Sequence, residues 1–363
     1  MPDLRQLHDR FGQSPWLDNL RRDWLVDGTF ASWIARGVLG CTSNPSIFQK
    51  AMTAGDAYDE QFAALVAGGA DVDTAYWRMV RDDIDAALDL FAPVHAASDG
   101  LDGYVSLELA PDLARDTEAS VVAARAFGDD IARPNLMVKV PATAEGVPAV
   151  ERLTAEGRNV NITLIFGLPR YREVMEAYLA GLEARPGDLG DVRSVASFFV
   201  SRVDTEVDRR LEEIGTPDAL ALRGRTAVAQ ARLAYAAFRD TFRGPRWDAL
   251  LARGANLQRP LWASTSTKNP AYRPTLYVDE LIGPDTVNTL PEGTLELFEA
   301  EGTLARRIDA DRDDAEAVFR GLESVGVDLD DVSRVLEDEG VASFAKAFDE
   351  LHATLSEKAA TLR

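Results

Sequence analysis

The segment Asn135-Leu136-Met137-Val138-Lys139-Val140-Pro141 decides how this chain folds. Apolar side chains at successive positions leave no polar face, the pattern of a strand covered on both sides in a parallel sheet. Lys139 is its one cation. Taking an ammonium out of water favours the free amine, and a free amine attacks carbonyls. A lysine near a strand end can also reach water or a carboxylate with its ammonium, and this segment alone supports both readings.

Working outward, short apolar runs recur near residues 15–18, 37–42, 103–109, 160–166, 194–200, 260–265 and 286–290. The intervening stretches carry helical stripes: Trp77, Val80, Ile84, Ala87 and Phe91, and later Val228, Ala231, Tyr235, Phe238 and Phe242, recur at spacings of three and four. Both stripes read as helix faces packed on a core. Strand alternating with helix predicts a (β/α)8 TIM barrel over residues 1–300. From residue 291 the strands stop. Helical candidates at 291–300, 311–322 and 328–362 follow in strongly acidic sequence, with Phe344, Phe348, Leu351 and Leu355 forming an apolar seam. Residues 301–363 therefore read as a helical extension packed on the barrel, with no chemistry of its own and a solvated acidic face.

The chain has 363 residues and a formal net charge of -21. A negative field repels nucleic acid and anionic membranes, so neither is an expected partner, and an anionic substrate has to be held by local cations. The single cysteine, Cys41, excludes an internal disulfide. The N-terminus lacks the pattern of a signal peptide and no apolar run reaches the length of a membrane span, which makes the cytoplasm the expected location. His8, His95 and His352 lie far apart, and no metal site is expected.

Strand parity locates a polar pocket, since residues two apart share a face. Ser106 and Glu108 share one face of their run, and Asn161 and Thr163 share one face of theirs. Lys139 stands opposite Val138 and Val140, and Thr42 pairs with Asn44. Any one of these is ordinary strand chemistry. Together they place an amine, a carboxylate, amides and hydroxyls late in several strands, where a parallel barrel carries its functional groups.

In order and spacing, seven blocks resemble a transaldolase of the longer bacterial type: Trp16-Leu17-Asp18, Thr42-Ser43-Asn44-Pro45-Ser46-Ile47-Phe48, Ser106-Leu107-Glu108, Asn135 to Thr143, Asn161 to Phe166, Ser197 to Arg202, and Trp262 to Pro270. The resemblance covers nearly the whole chain. It implies that Lys139 forms a Schiff base with the ketose carbonyl of a sugar phosphate, with no cofactor. It implies Asp18 as the general base, and Glu108 with Thr163 holding the water that shuttles protons. Asn44, Asn161 and Ser197 would bind the hydroxyls of the dihydroxyacetone fragment, with Thr42 shaping the pocket. Arg202, Ser264 and Lys268 would clamp the phosphate. Here the chain departs from the shorter transaldolases, which resemble Ala-Ser-Phe-Arg-Asn where this sequence has two extra residues and a lysine. Related fructose 6-phosphate aldolases carry a tyrosine at the position of Phe199 and no carboxylate at that of Glu108, so this pair of residues favours transfer over release of free dihydroxyacetone.

Three functions remain distinct on these grounds. They are a transaldolase of the pentose phosphate pathway, a lysine-dependent aldolase, and a non-catalytic barrel in which Glu108 merely pairs with a Lys139 cation. The sequence leaves the oligomeric state open.

Overall fold

A computed structural model describes residues 2–362. Eight parallel strands close into a barrel in sequence order: β1 (Gln13–Leu17), β2 (Cys41–Thr42), β3 (Val105–Glu108), β4 (Leu136–Pro141), β5 (Val160–Ile165), β6 (Ser194–Phe199), β7 (Gln258–Ala263) and β8 (Thr286–Leu290), with β8 pairing back to β1. This is the expected (β/α)8 TIM barrel, followed by helices Glu292–Glu301, Arg312–Ser324 and Leu329–Leu362. The stripe residues Val80, Ile84, Ala87 and Phe91 are buried on helix Val72–Ala97, as are Ala231, Tyr235 and Phe238 on helix Thr226–Thr241.

Several strand boundaries differ from the sequence reading, β1 starting at Gln13 and β3 at Val105, and two of the differences have a visible physical cause. The run at 37–42 yields only Cys41–Thr42 as strand. Gly37 sits in the left-handed region (φ 113°), and at Gly40 a β-carbon would lie 2.5 Å from the Trp16 ring, so this backbone turns tightly against an indole before it can extend. Strand β7 starts earlier than expected, at Gln258 and Arg259, two polar residues just before the apolar run at 260–265. Both are buried because both are partnered. Gln258 Nε2 donates to Ser194 Oγ at 3.1 Å, and Arg259 reaches Asp102 at 2.9 Å and Ser14 Oγ at 2.9 Å. Paired burial of this kind is how charge survives in an interior.

Strand β5 carries an irregularity between Ile162 and Ile165, where Leu164 takes a positive φ of 61°. Bulges re-aim side chains at functional rims. Leu164 meets the C-terminal helix here: a β-carbon on Gly340 would lie 2.9 Å from Leu164 Cδ2 and 3.5 Å from Phe166 Cε2. Glycine at 340 lets helix Leu329–Leu362 approach the carboxyl end of β5. Ser333 Oγ donates to Phe166 O at 3.2 Å, and Arg210 pairs with Asp331 at 2.8 Å. Gln49 Nε2 donates to Glu350 at 2.7 Å, which ties the same helix to helix Pro45–Thr53. No described helix is long and apolar enough to cross a membrane.

Candidate active site

At the carboxyl ends of the strands lies a cavity of about 160 Å³. Of the residues singled out in the sequence, Asp18, Thr42, Asn44, Lys139, Thr163, Ser197, Phe199, Arg202, Ser264 and Lys268 line it. They come from strand ends and the loops that follow, because parallel strands bring all their carboxyl termini to one rim.

Lys139 is 4% exposed. Its Nζ donates to Ser43 O at 2.8 Å and to Glu108 Oε2 at 2.9 Å. The pairing is built into the sheet, since Glu108 and Lys139 are register partners on β3 and β4. Burial pushes the Glu108 carboxyl up from its ordinary value, with Lys139 pulling the other way. Glu108 does not itself line the cavity and stands behind the lysine.

Asp18 lies just beyond the end of β1, where Thr42 Oγ1 donates to its Oδ1 at 2.7 Å. Thr42 Oγ1 also shares a 2.6 Å hydrogen bond with Thr289 Oγ1. Burial raises Asp18, opposed by Lys139 and by the Thr42 bond. A carboxylate moved upward is a better base at neutral pH than an ordinary one. Asn44 caps helix Pro45–Thr53, its Oδ1 accepting from Ile47 N–H at 3.0 Å, which leaves the amide nitrogen for the cavity. The buried Thr163 hydroxyl has no partner among the described residues.

Asn161, like Glu108, stands behind the cavity wall. It does not line the cavity: Ser197 Oγ donates to its Oδ1 at 2.7 Å, and its Nδ2 donates to Ser106 Oγ at 3.0 Å. Asn161 thus orients Ser197, which does face the cavity. On the opposite wall Arg202 lies over the Phe199 ring at 5.3 Å and Lys268 joins it, with neither in an ion pair among the described residues. Burial lowers the Arg202 guanidinium from its ordinary value, and that value is high enough for the charge to stay.

Ser46, Ala263, Ser266, Thr289, Pro291 and Phe344 complete the lining. Ser46, Ala263 and Ser266 fall inside the blocks quoted from the sequence, and Thr289 is the penultimate residue of β8 at the same rim. Phe344 had no sequence signal beyond its place in the helical seam. Phe344 brings the C-terminal helices to the cavity, where its ring adds apolar lining and no acid-base group.

The family model described as transaldolase/fructose-6-phosphate aldolase matches residues 15–355. The chain belongs to this family. It is 52% identical over 353 residues to a protein of Thermobifida fusca named transaldolase, covering 96% of each. It is 51% identical over 345 residues to a transaldolase of Mycolicibacterium smegmatis, covering 94% of this chain and 93% of that one. A Streptomyces avermitilis protein named transaldolase 1 is 49% identical over 354 residues, covering 96% and 93%. Within the family, the residues described above occupy a single rim of the barrel.

Proposed function

We propose that this chain is a transaldolase that moves a dihydroxyacetone unit from sedoheptulose 7-phosphate or fructose 6-phosphate to glyceraldehyde 3-phosphate or erythrose 4-phosphate. The observation that carries the proposal is a buried lysine amine facing a cavity that also holds a carboxylate, hydroxyls and two cations that are in no ion pair among the described residues.

The amine of Lys139 adds to the ketose carbonyl, and loss of water from the carbinolamine gives a protonated imine. Asp18 takes the proton from the hydroxyl on the fourth carbon. The bond between the third and fourth carbons then breaks, its electron pair moves into the imine, and an aldose phosphate leaves. The enamine left on Lys139 adds to the next aldehyde, and hydrolysis frees the new ketose. Thr163 has a hydroxyl free to hold the water consumed and released in these steps. Asn44 and Ser197 hold the fragment's hydroxyls, which keeps the enamine oriented between donor and acceptor.

The short contact between Lys139 and Glu108 does not make the site inert. Glu108 is only 5% exposed, is raised by burial, and stands 2.9 Å from the lysine nitrogen, within reach to exchange a proton with it. The same carboxyl then has a proton to give when the carbinolamine loses water. Phe199 offers no hydroxyl to protonate the enamine, which supports transfer over release. On this reading Arg202, Ser264 and Lys268 clamp the substrate phosphate, and the reaction belongs to the non-oxidative pentose phosphate pathway in the cytoplasm.

Borohydride reduction with fructose 6-phosphate, followed by peptide mass analysis, tests the reading. Label on Lys139 and loss of both label and turnover in Lys139→Ala are expected. A labelled or fully active Lys139→Ala protein overturns it.

A further inference from the structure

The loop after β7 carries Ser264, Ser266 and Lys268 into the cavity, while Arg202 comes from the start of helix Ser201–Ile214. The two halves of the clamp therefore belong to different strand-helix units, and something has to fix their separation. At the near end of the loop, Ser201 N–H donates to Ser264 O at 3.0 Å, and the two hydroxyls lie 2.9 Å apart. Ser264 has a positive φ of 57°, a conformation that a serine keeps only when its surroundings over-determine it.

The far end is held by the same helix. Asp204 and Asp208 are one turn apart on it. Tyr272 O–H donates to Asp208 Oδ2 at 2.5 Å, and Tyr277 O–H donates to Asp204 Oδ2 at 2.8 Å. The other oxygens of the two carboxyls accept backbone N–H groups, Gly224 at 2.9 Å and Ala227 at 2.7 Å. Both aspartates are buried, and no lysine or arginine pairs with either among the described residues. Gly224, at φ 70°, makes room for the Tyr272 ring: a β-carbon there would lie 2.6 Å from Cζ. Residues 265–271 thus form a span pinned at both ends to the helix that carries Arg202 in its first turn.

We propose that Tyr272 and Tyr277, held by Asp208 and Asp204, are positioning residues that fix Ser264, Ser266 and Lys268 against Arg202 and so set the preference for phosphorylated over unphosphorylated substrates. This rests on the phosphate-clamp reading above. Neither tyrosine nor aspartate lines the cavity, so their effect reaches substrate only through the loop. A hydroxyl-to-carboxylate hydrogen bond is among the stronger kinds, and a misplaced clamp loses contacts made only by phosphate.

The test compares fructose 6-phosphate with fructose as donor, using unphosphorylated glyceraldehyde as acceptor, in the wild type, Tyr272→Phe and Asp208→Asn. We expect kcat/KM for fructose 6-phosphate to fall by about tenfold, mainly through KM, with fructose unchanged. The inhibition constant of inorganic phosphate should rise by a similar factor. Equal losses for both donors would assign these residues a purely structural role and overturn the proposal, as would an unchanged ratio in a folded variant. Tyr277→Phe gives the same readout if Tyr272→Phe does not fold. Failure of wild-type Lys139 to be trapped by borohydride would instead strike at the function itself.

Discussion

Asp204→Asn provides a quantitative test of how buried carboxyls shape this barrel. Asp204 is 1% exposed, and burial pushes its carboxyl from 3.8 up to about 7, against hydrogen bonds from Ala227 and Tyr277 and with the like charge of Asp208 adding to the rise. The folded chain therefore holds this proton more tightly than the unfolded chain does. The resulting stabilisation is complete below pH about 4 and is lost as the pH rises through about 7. Each pH unit of that window is worth about 1.36 kcal/mol, so the whole span amounts to about 4 kcal/mol. Asparagine cannot titrate, and it can still accept from Ala227 N–H while its amide donates to the Tyr277 oxygen. Relative to the wild type, Asp204→Asn should gain stability from pH 5 to pH 7 at roughly 1 kcal/mol per unit and level off above. Urea unfolding followed by tryptophan fluorescence at pH 5, 6, 7 and 8 measures the difference. A difference that stays constant across this range would refute the argument.

Substitutions at Glu108, Gly340 and Phe199 give four further outcomes. Glu108→Gln should still be trapped by borohydride at Lys139 while turnover falls by about 10²–10⁴-fold, the usual worth of a general acid-base group; undiminished turnover would remove Glu108 from the mechanism. Gly340→Leu should lift helix Leu329–Leu362 from Leu164 and raise KM, measured by steady-state kinetics. Gly340→Ala gains about 1 kcal/mol of helix propensity against an overpacking cost of about 1–3 kcal/mol, so its melting temperature should drop only slightly. Phe199→Tyr should increase free dihydroxyacetone relative to transferred product, and an unchanged ratio would count against the account of Phe199.

Much of the barrel was legible because a strand buried on both faces leaves a continuous apolar run, and because a lysine inside such a run is conspicuous. Parity was enough to put Glu108 and Lys139 near each other, and their register pairing supplies the contact. Parity could not separate Ser197, which lines the cavity, from Asn161, which supports it, because both belong to the barrel interior and only packing decides which one meets the cavity. The early start of β7 was hidden for another reason: Gln258 and Arg259 are polar and extend no apolar run, and the partners that bury them come from distant parts of the chain. Phe344 belongs to the same helix as Phe348, which packs 5.4 Å from the Tyr76 ring. Spacing along that helix gives no sign that one phenylalanine closes a cavity while the other joins two helices. The pairing of Tyr272 with Asp208 was equally invisible, since it links a loop to a helix 64 residues earlier.

Arg202 and Lys268 sit within a chain whose net charge is -21. A phosphorylated sugar is therefore repelled at long range and attracted only once it is within a few ångströms of the cavity. Dissolved salt weakens the first effect before the second, because at physiological ionic strength charges farther apart than about 8 Å are largely screened while partly buried contacts are much less so. Capture of the substrate should thus quicken on moving from dilute buffer to moderate ionic strength and slow again in concentrated salt. Such a chain works best in an electrolyte, where small cations cancel its distant field and leave the two held inside the cavity to act.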